Sequence, residues 1–118
     1  TIIRVVDGDT VVISAQYLPE PLNKYLYLRI DGVDTPEKGK KAHCQSEGIK
    51  GEAATTFTTN LINNAQSYTV EIRKWDKFGG RVLGDIIIDG ERLSTLLINN
   101  QYAREYHGEK KKSWCNIN

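Results

Sequence analysis

Two short stretches of the chain concentrate side chains that could do chemistry. DGDT, from Asp7 to Thr10, and RIDGVDTPE, from Arg29 to Glu37, together hold five carboxylates and an arginine. A second arginine, Arg81, closes the segment DKFGGR further along. Carboxylate oxygens suit a hard cation, and guanidinium groups suit a phosphate held on that cation. A site with both kinds of residue calls for an anionic substrate and a metal between them. The set reads as metal-assisted phosphodiester cleavage. Oxygen-only ligation, with no histidine in these motifs, favours Ca²⁺ over zinc or copper.

The elements that must position these residues can be read from periodicity. Ile2 to Ser14 is rich in β-branched residues and predicts two short strands joined at the DGD turn. Ala15 to Asn23, with Pro19 and Pro21, predicts a loop. From Lys24 to Gly32, Leu26, Leu28 and Ile30 alternate with Tyr25, Tyr27 and Arg29. That pattern predicts a strand burying one face and presenting Arg29 on the other, ended by Pro36. The Lys/Gly-rich stretch from Lys38 to Lys41 predicts a mobile loop. Glu47 to Asn64, with Ala54, Phe57, Leu61 and Ala65 at helical spacing, predicts a helix. Tyr68 to Lys74 and Arg81 to Ile88 predict strands turned at Gly79–Gly80, and Asp89–Gly90 predicts another tight turn. Arg92 to Asn100 predicts a short helix with Leu93, Leu96 and Leu97 inward. Periodicity alone says α+β.

The motif order DGDT, R-x4-DTPE, DKFGGR resembles the staphylococcal nuclease (thermonuclease) family. The likeness runs from Ile3 to about Tyr106, through the helix and the LLINNQYAR segment. It implies a five-stranded OB-type β-barrel with two to three helices. It also implies a calcium-dependent endonuclease that hydrolyses DNA and RNA and leaves 3′-phosphate ends. By resemblance, Asp9, Asp34 and the backbone carbonyl of Thr35 hold the calcium ion, with Asp7 just outside them. Glu37 matches the family's general base, and Arg29 and Arg81 the two arginines that bind the phosphate. Lys77 and Phe78 match a Lys-Tyr pair at the terminal phosphate, where Phe78 lacks the hydroxyl. Asp31 matches no functional position and reads as a turn or surface residue. An Asp-Gly pair is a standard turn former, so Asp7 and Asp9 could also serve only the turn. Tyr106 and Trp114 could stack on bases, which suits single-stranded substrates, or pack on the barrel; Tyr102 reads as core.

A chain of 118 residues, 39% apolar, is long enough for one domain, residues 1–118, with its own core. No apolar run approaches a membrane span, and a monomer without membrane association is expected. A net charge of +1 announces no nucleic-acid partner by itself. Basic residues nonetheless cluster beside the motifs: Lys38, Lys40 and Lys41; Arg73, Lys74, Lys77 and Arg81; and Lys110 to Lys112 in the tail. Such clusters can follow a phosphate backbone or merely solvate a face.

Two cysteines, Cys44 and Cys115, complete the set. Each sits in a loop just outside a regular element, and a subset of bacterial relatives carries a similar Trp-Cys ending with a cysteine after DTPE. A disulfide is expected, dispensable for catalysis, placing the protein in the periplasm or outside the cell; the alternative is the cytoplasm. Two free thiols, or a zinc site with His43 and His107, are the other readings, although adjacent His43 and Cys44 lack typical ligand spacing. The competing functional class is an OB module that binds nucleic acid or protein without cleaving. Such a module would be free to lose Glu37, Arg29 or Arg81, and this chain has all three with Asp9 and Asp34.

Overall fold

The structure, a computed structural model, describes every residue except Leu22, Phe78 and 116–118. In chain order its strands are β1 (Ile2–Asp7), β2 (Thr10–Ile13), β3 (Leu26–Ile30), β4 (Val33–Asp34), β5 (Tyr68–Trp75), β6 (Arg81–Ile88), β7 (Glu91–Arg92) and β8 (Arg104–Glu105). Helix α1 (Gln45–Asn63) lies between β4 and β5, and α2 (Leu93–Asn99) between β7 and β8. The main sheet runs β1-β2-β3-β6-β5, with β7 on β6, while β4 and β8 form a separate pair. The fold is mixed α+β.

The five expected strands thus share one sheet, but no ladder closes it into a barrel among the described residues. Its ends do approach each other: the Ile2 amide donates to the Tyr68 hydroxyl at 3.1 Å. One face of the sheet supplies the core. Leu26, Leu28, Ile30 and Ile86 are fully buried against Leu93 and Leu97 of α2. Each such side chain contributes about 1.5–3 kcal/mol on removal from water. Leu96, expected inward, is only half-buried, and Ile98 packs on the core instead. The buried carboxylate of Asp85 accepts from the Ser94 amide (3.2 Å) in the first turn of α2, an otherwise unpaired helix donor.

The chain after β3 departs from expectation. The strand ends at Ile30 rather than at Pro36, because Gly32 takes φ +83° and re-aims the backbone into β4. There Asp34 pairs with Arg104 of β8. Within the Lys38 to Lys41 stretch, Gly39–Lys41 forms a 3₁₀ turn, closed by the Ala42 amide on the Gly39 carbonyl at 3.2 Å. Helix α1 starts two residues before Glu47, and the bounds of β6 agree with the periodicity. Among the described residues no helix is long and apolar enough to cross a membrane.

Candidate active site

The buried residues of α1 are Glu47, Gly51, Ala54 and Thr58. Their spacing puts them on a single stripe of the helix. Each meets one of the acidic motifs. The Thr58 hydroxyl donates to the Gly8 carbonyl at 2.7 Å. Gly8 lies so close to α1 that an added Cβ would stand 2.8 Å from that of Ala54. Gly51 lies closer still to the Glu37 backbone, and the Glu47 carboxylate accepts from the amides of Glu37 (3.2 Å) and His43 (2.7 Å). One helix face therefore seats both the DGDT turn and the DTPE loop. Burial alone would raise Glu47, but these donors, with the His43 ring at 2.9 Å, hold it below its ordinary value.

Strand pairing carries Arg29 to the same place. Arg29 stands opposite Thr10 in the β2–β3 ladder, and the Ile30 amide donates to the Asp9 carbonyl at 2.8 Å. Its Nη2 lies 3.4 Å from Asp9 Oδ2 and 3.8 Å from Asp34 Oδ1. Both carboxylates are buried. The Thr35 amide (3.3 Å) and the Thr10 hydroxyl (3.1 Å) also donate to Asp9. Desolvation outweighs Arg29 and these donors, and with the Asp34 charge it leaves Asp9 above its usual value. Glu37 is also raised, by burial first and then by the charges of Asp7 and Asp9. Asp7, Asp9 and Glu37 thus share one field.

On the open side of Arg29 a cleft of about 580 Å³ is lined by Arg29, Lys77, Arg81, Tyr106 and Lys111, among others. In the parallel β3–β6 ladder Arg81 pairs with Tyr27, two residues before Arg29, so both arginines project from one sheet face. Arg81 is held by an ion pair with Asp76 across the Gly79–Gly80 turn. The half-exposed Tyr106 ring lies 5.8 Å from the Arg29 guanidinium. Phe78 lies outside the described residues. Asp31 is more than a bare surface residue: it lines this cleft and pairs with Arg73 at 3.6 Å.

The tail decides between readings that the sequence left open, and its cysteines form the expected disulfide. Trp114 is buried, not offered to a base: its indole Nε1 donates to Asp34 Oδ2 at 3.2 Å. Lys111 Nζ reaches Asp34 Oδ1 at 3.3 Å. Cys44 and Cys115 are bonded to each other, with Cα atoms 6.2 Å apart, which removes the zinc and free-thiol alternatives for them. Sequence reasoning missed Glu47 and Lys111. A glutamate three residues past a helix cap was the available signal for the first; nothing separated Lys111 from its neighbours.

Two buried carboxylates that repel each other and share one arginine fit a hard cation by their chemistry. Among the described residues no cluster of three or more Asp, Glu, His or Cys side chains is arranged to hold a metal. A cation here would rest on Asp9, Asp34 and a backbone oxygen such as that of Thr35. A family model described as staphylococcal nuclease homologue matches residues 27–116. The comparison with curated proteins finds no match.

Proposed function

Since this chain belongs to the staphylococcal nuclease family, we propose that it is a calcium-dependent nuclease that hydrolyses phosphodiester bonds of DNA and RNA. The observation that carries the reading is the convergence on Arg29. Its guanidinium lies within 3.4 Å of Asp9 and 3.8 Å of Asp34, so motifs distant in sequence form one cluster. In this reading the sheet order is that of an opened OB-type barrel, with the cluster on its outer face.

Asp9, Asp34 and the Thr35 carbonyl hold the calcium ion, with Asp7 beside them. Bound there, the ion supplies Lewis-acid polarisation of the phosphate and of the attacking water. Arg29 and Arg81 grip the phosphate from the cleft side. As charge grows on its equatorial oxygens, their fixed donors stabilise the transition state more than the ground state. Glu37 accepts the proton of the water that attacks phosphorus, and the bond to the 5′ oxygen breaks. That oxygen leaves as a 5′-hydroxyl with a proton from solvent, and a 3′-phosphate remains. Lys77 adds positive charge at the cleft edge, and the half-exposed Tyr106 offers a face for stacking that favours single strands. The protein acts as a monomer, and its disulfide suits the periplasm or the exterior of the cell.

Cleavage of a short single-stranded oligonucleotide in ¹⁸O-water tests this reading. One heavy oxygen should enter the phosphate of a 3′-phosphorylated product. Products ending in 5′-phosphate, or no cleavage at all, would contradict it.

A further inference from the structure

Asp34 is held on three sides by the tail half of the chain. Its backbone pairs with Arg104 in the β4–β8 ladder. The Arg104 guanidinium covers the Trp114 ring at 3.7 Å and its Nη1 donates to the Ser113 carbonyl at 2.9 Å. Trp114 then returns to Asp34 through the 3.2 Å indole hydrogen bond. The next residue, Cys115, is bonded to Cys44, the cap of α1. Three residues along that helix, Glu47 holds the amide of Glu37. The disulfide thus joins the segment that fixes Asp34 to the segment that fixes Glu37.

We propose that Trp114 is a positioning residue for Asp34, and that the Cys44–Cys115 bond keeps it in place. The inference rests on the reading of Asp34 as a cation ligand. An indole N–H on Oδ2 fixes the carboxylate plane and leaves Oδ1 to face a cation. Two groups now stand by Oδ1: Arg29 Nη2 at 3.8 Å, and Lys111 at 3.3 Å, whose side chain is 48% exposed and can withdraw into water. Hydrogen bonds of this kind to a ligating carboxylate typically change metal affinity by about 10–100-fold. Trp114 is within one residue of the only covalent tie between tail and helix among the described residues. Reducing that tie lets the indole leave Asp34, so the bridge reaches the site despite lying outside the acidic motifs.

The test is calcium titration by calorimetry, without substrate, on the full chain and on Trp114→Phe, each oxidised and reduced. Phenylalanine keeps a six-membered ring beneath Arg104 and removes the N–H together with the rest of the five-membered ring. Oxidised Trp114→Phe should bind calcium at least about tenfold more weakly than the parent. Reduction should weaken the parent similarly and change Trp114→Phe little, since both act on one contact. Should the variant fold poorly, the indole N–H resonances of the parent serve instead. The Trp114 signal should shift on calcium addition, and the Trp75 signal should not. Equal affinity of parent and variant, or an unmoved Trp114 signal in a protein that binds calcium, would overturn the inference while leaving the cation site intact. No calcium binding by the oxidised parent would overturn the cation reading and this inference with it.

Discussion

Gly51 of α1 faces the backbone of Glu37 so closely that a β-carbon on it would stand 2.4 Å from the Glu37 carbonyl oxygen. The obstacle is backbone, so it cannot swing aside as the end of a side chain would. Gly51→Ala must move the loop that carries Glu37. The cost in stability should be about 1–3 kcal/mol, as for other overpacked sites. Turnover should fall by about tenfold to a hundredfold, since a displacement of about 1 Å in a reacting group can cost that much. Steady-state kinetics beside a melting curve would check it; normal turnover would show that the loop position is immaterial.

Glu47 gives a pH-dependent prediction. Its folded value is lowered, net of burial, by the His43 and Glu37 donors. The stability it contributes is therefore present above the ordinary glutamate value of 4.5 and lost as pH falls through the lower folded value. Glu47→Gln should melt below the parent at pH 7, and the gap should narrow as the parent is acidified past that window. A gap that stays constant down to strongly acidic pH would mean that the charge of Glu47 is not what holds the loop.

Arg29→Lys and Arg81→Lys should each raise the barrier by about 3–4 kcal/mol while the protein stays folded. Lysine keeps the charge but lacks the planar two-donor fork. Circular dichroism and single-turnover rates would separate folding from chemistry. Near-normal rates in either variant would reduce that arginine to a surface charge.

The disulfide closes a span of 71 residues. Constraint of the unfolded chain on this scale is worth up to about 4 kcal/mol. Denatured, unreduced protein should show no titratable thiol from Cys44 or Cys115, and reduction should lower the melting temperature. Unchanged melting on reduction would show that the unfolded chain is not appreciably restrained by the bridge.

How far the sequence could be read depended on the kind of signal each element carries. In β3, Leu26, Leu28 and Ile30 alternate with the exposed Tyr27 and with Arg29, so strand and facing were both legible. The active stripe of α1 was not, because Glu47, Gly51, Ala54 and Thr58 are not a hydrophobic pattern. Its partners are backbone atoms, which leave no trace in hydropathy. Strands of two residues, such as β4 and β8, are too short to show a period. The convergence of Asp9, Arg29, Asp34 and Glu37 was legible from motif order, but the tail's approach to Asp34 was not. That contact depends on Trp114 and Lys111 being brought back across the fold, in a segment whose local composition reads only as charged.

The most direct measurement of the account is hydrolysis of a single-stranded oligonucleotide by protein stripped with chelator, then supplied with calcium or with magnesium. Two carboxylates and a carbonyl, oxygen donors all, suit the larger, less geometrically demanding ion. Stripped protein should be inactive, calcium should restore cleavage, magnesium should restore little, and Asp9→Ala should stay inactive throughout. Undiminished hydrolysis in excess chelator would contradict the account.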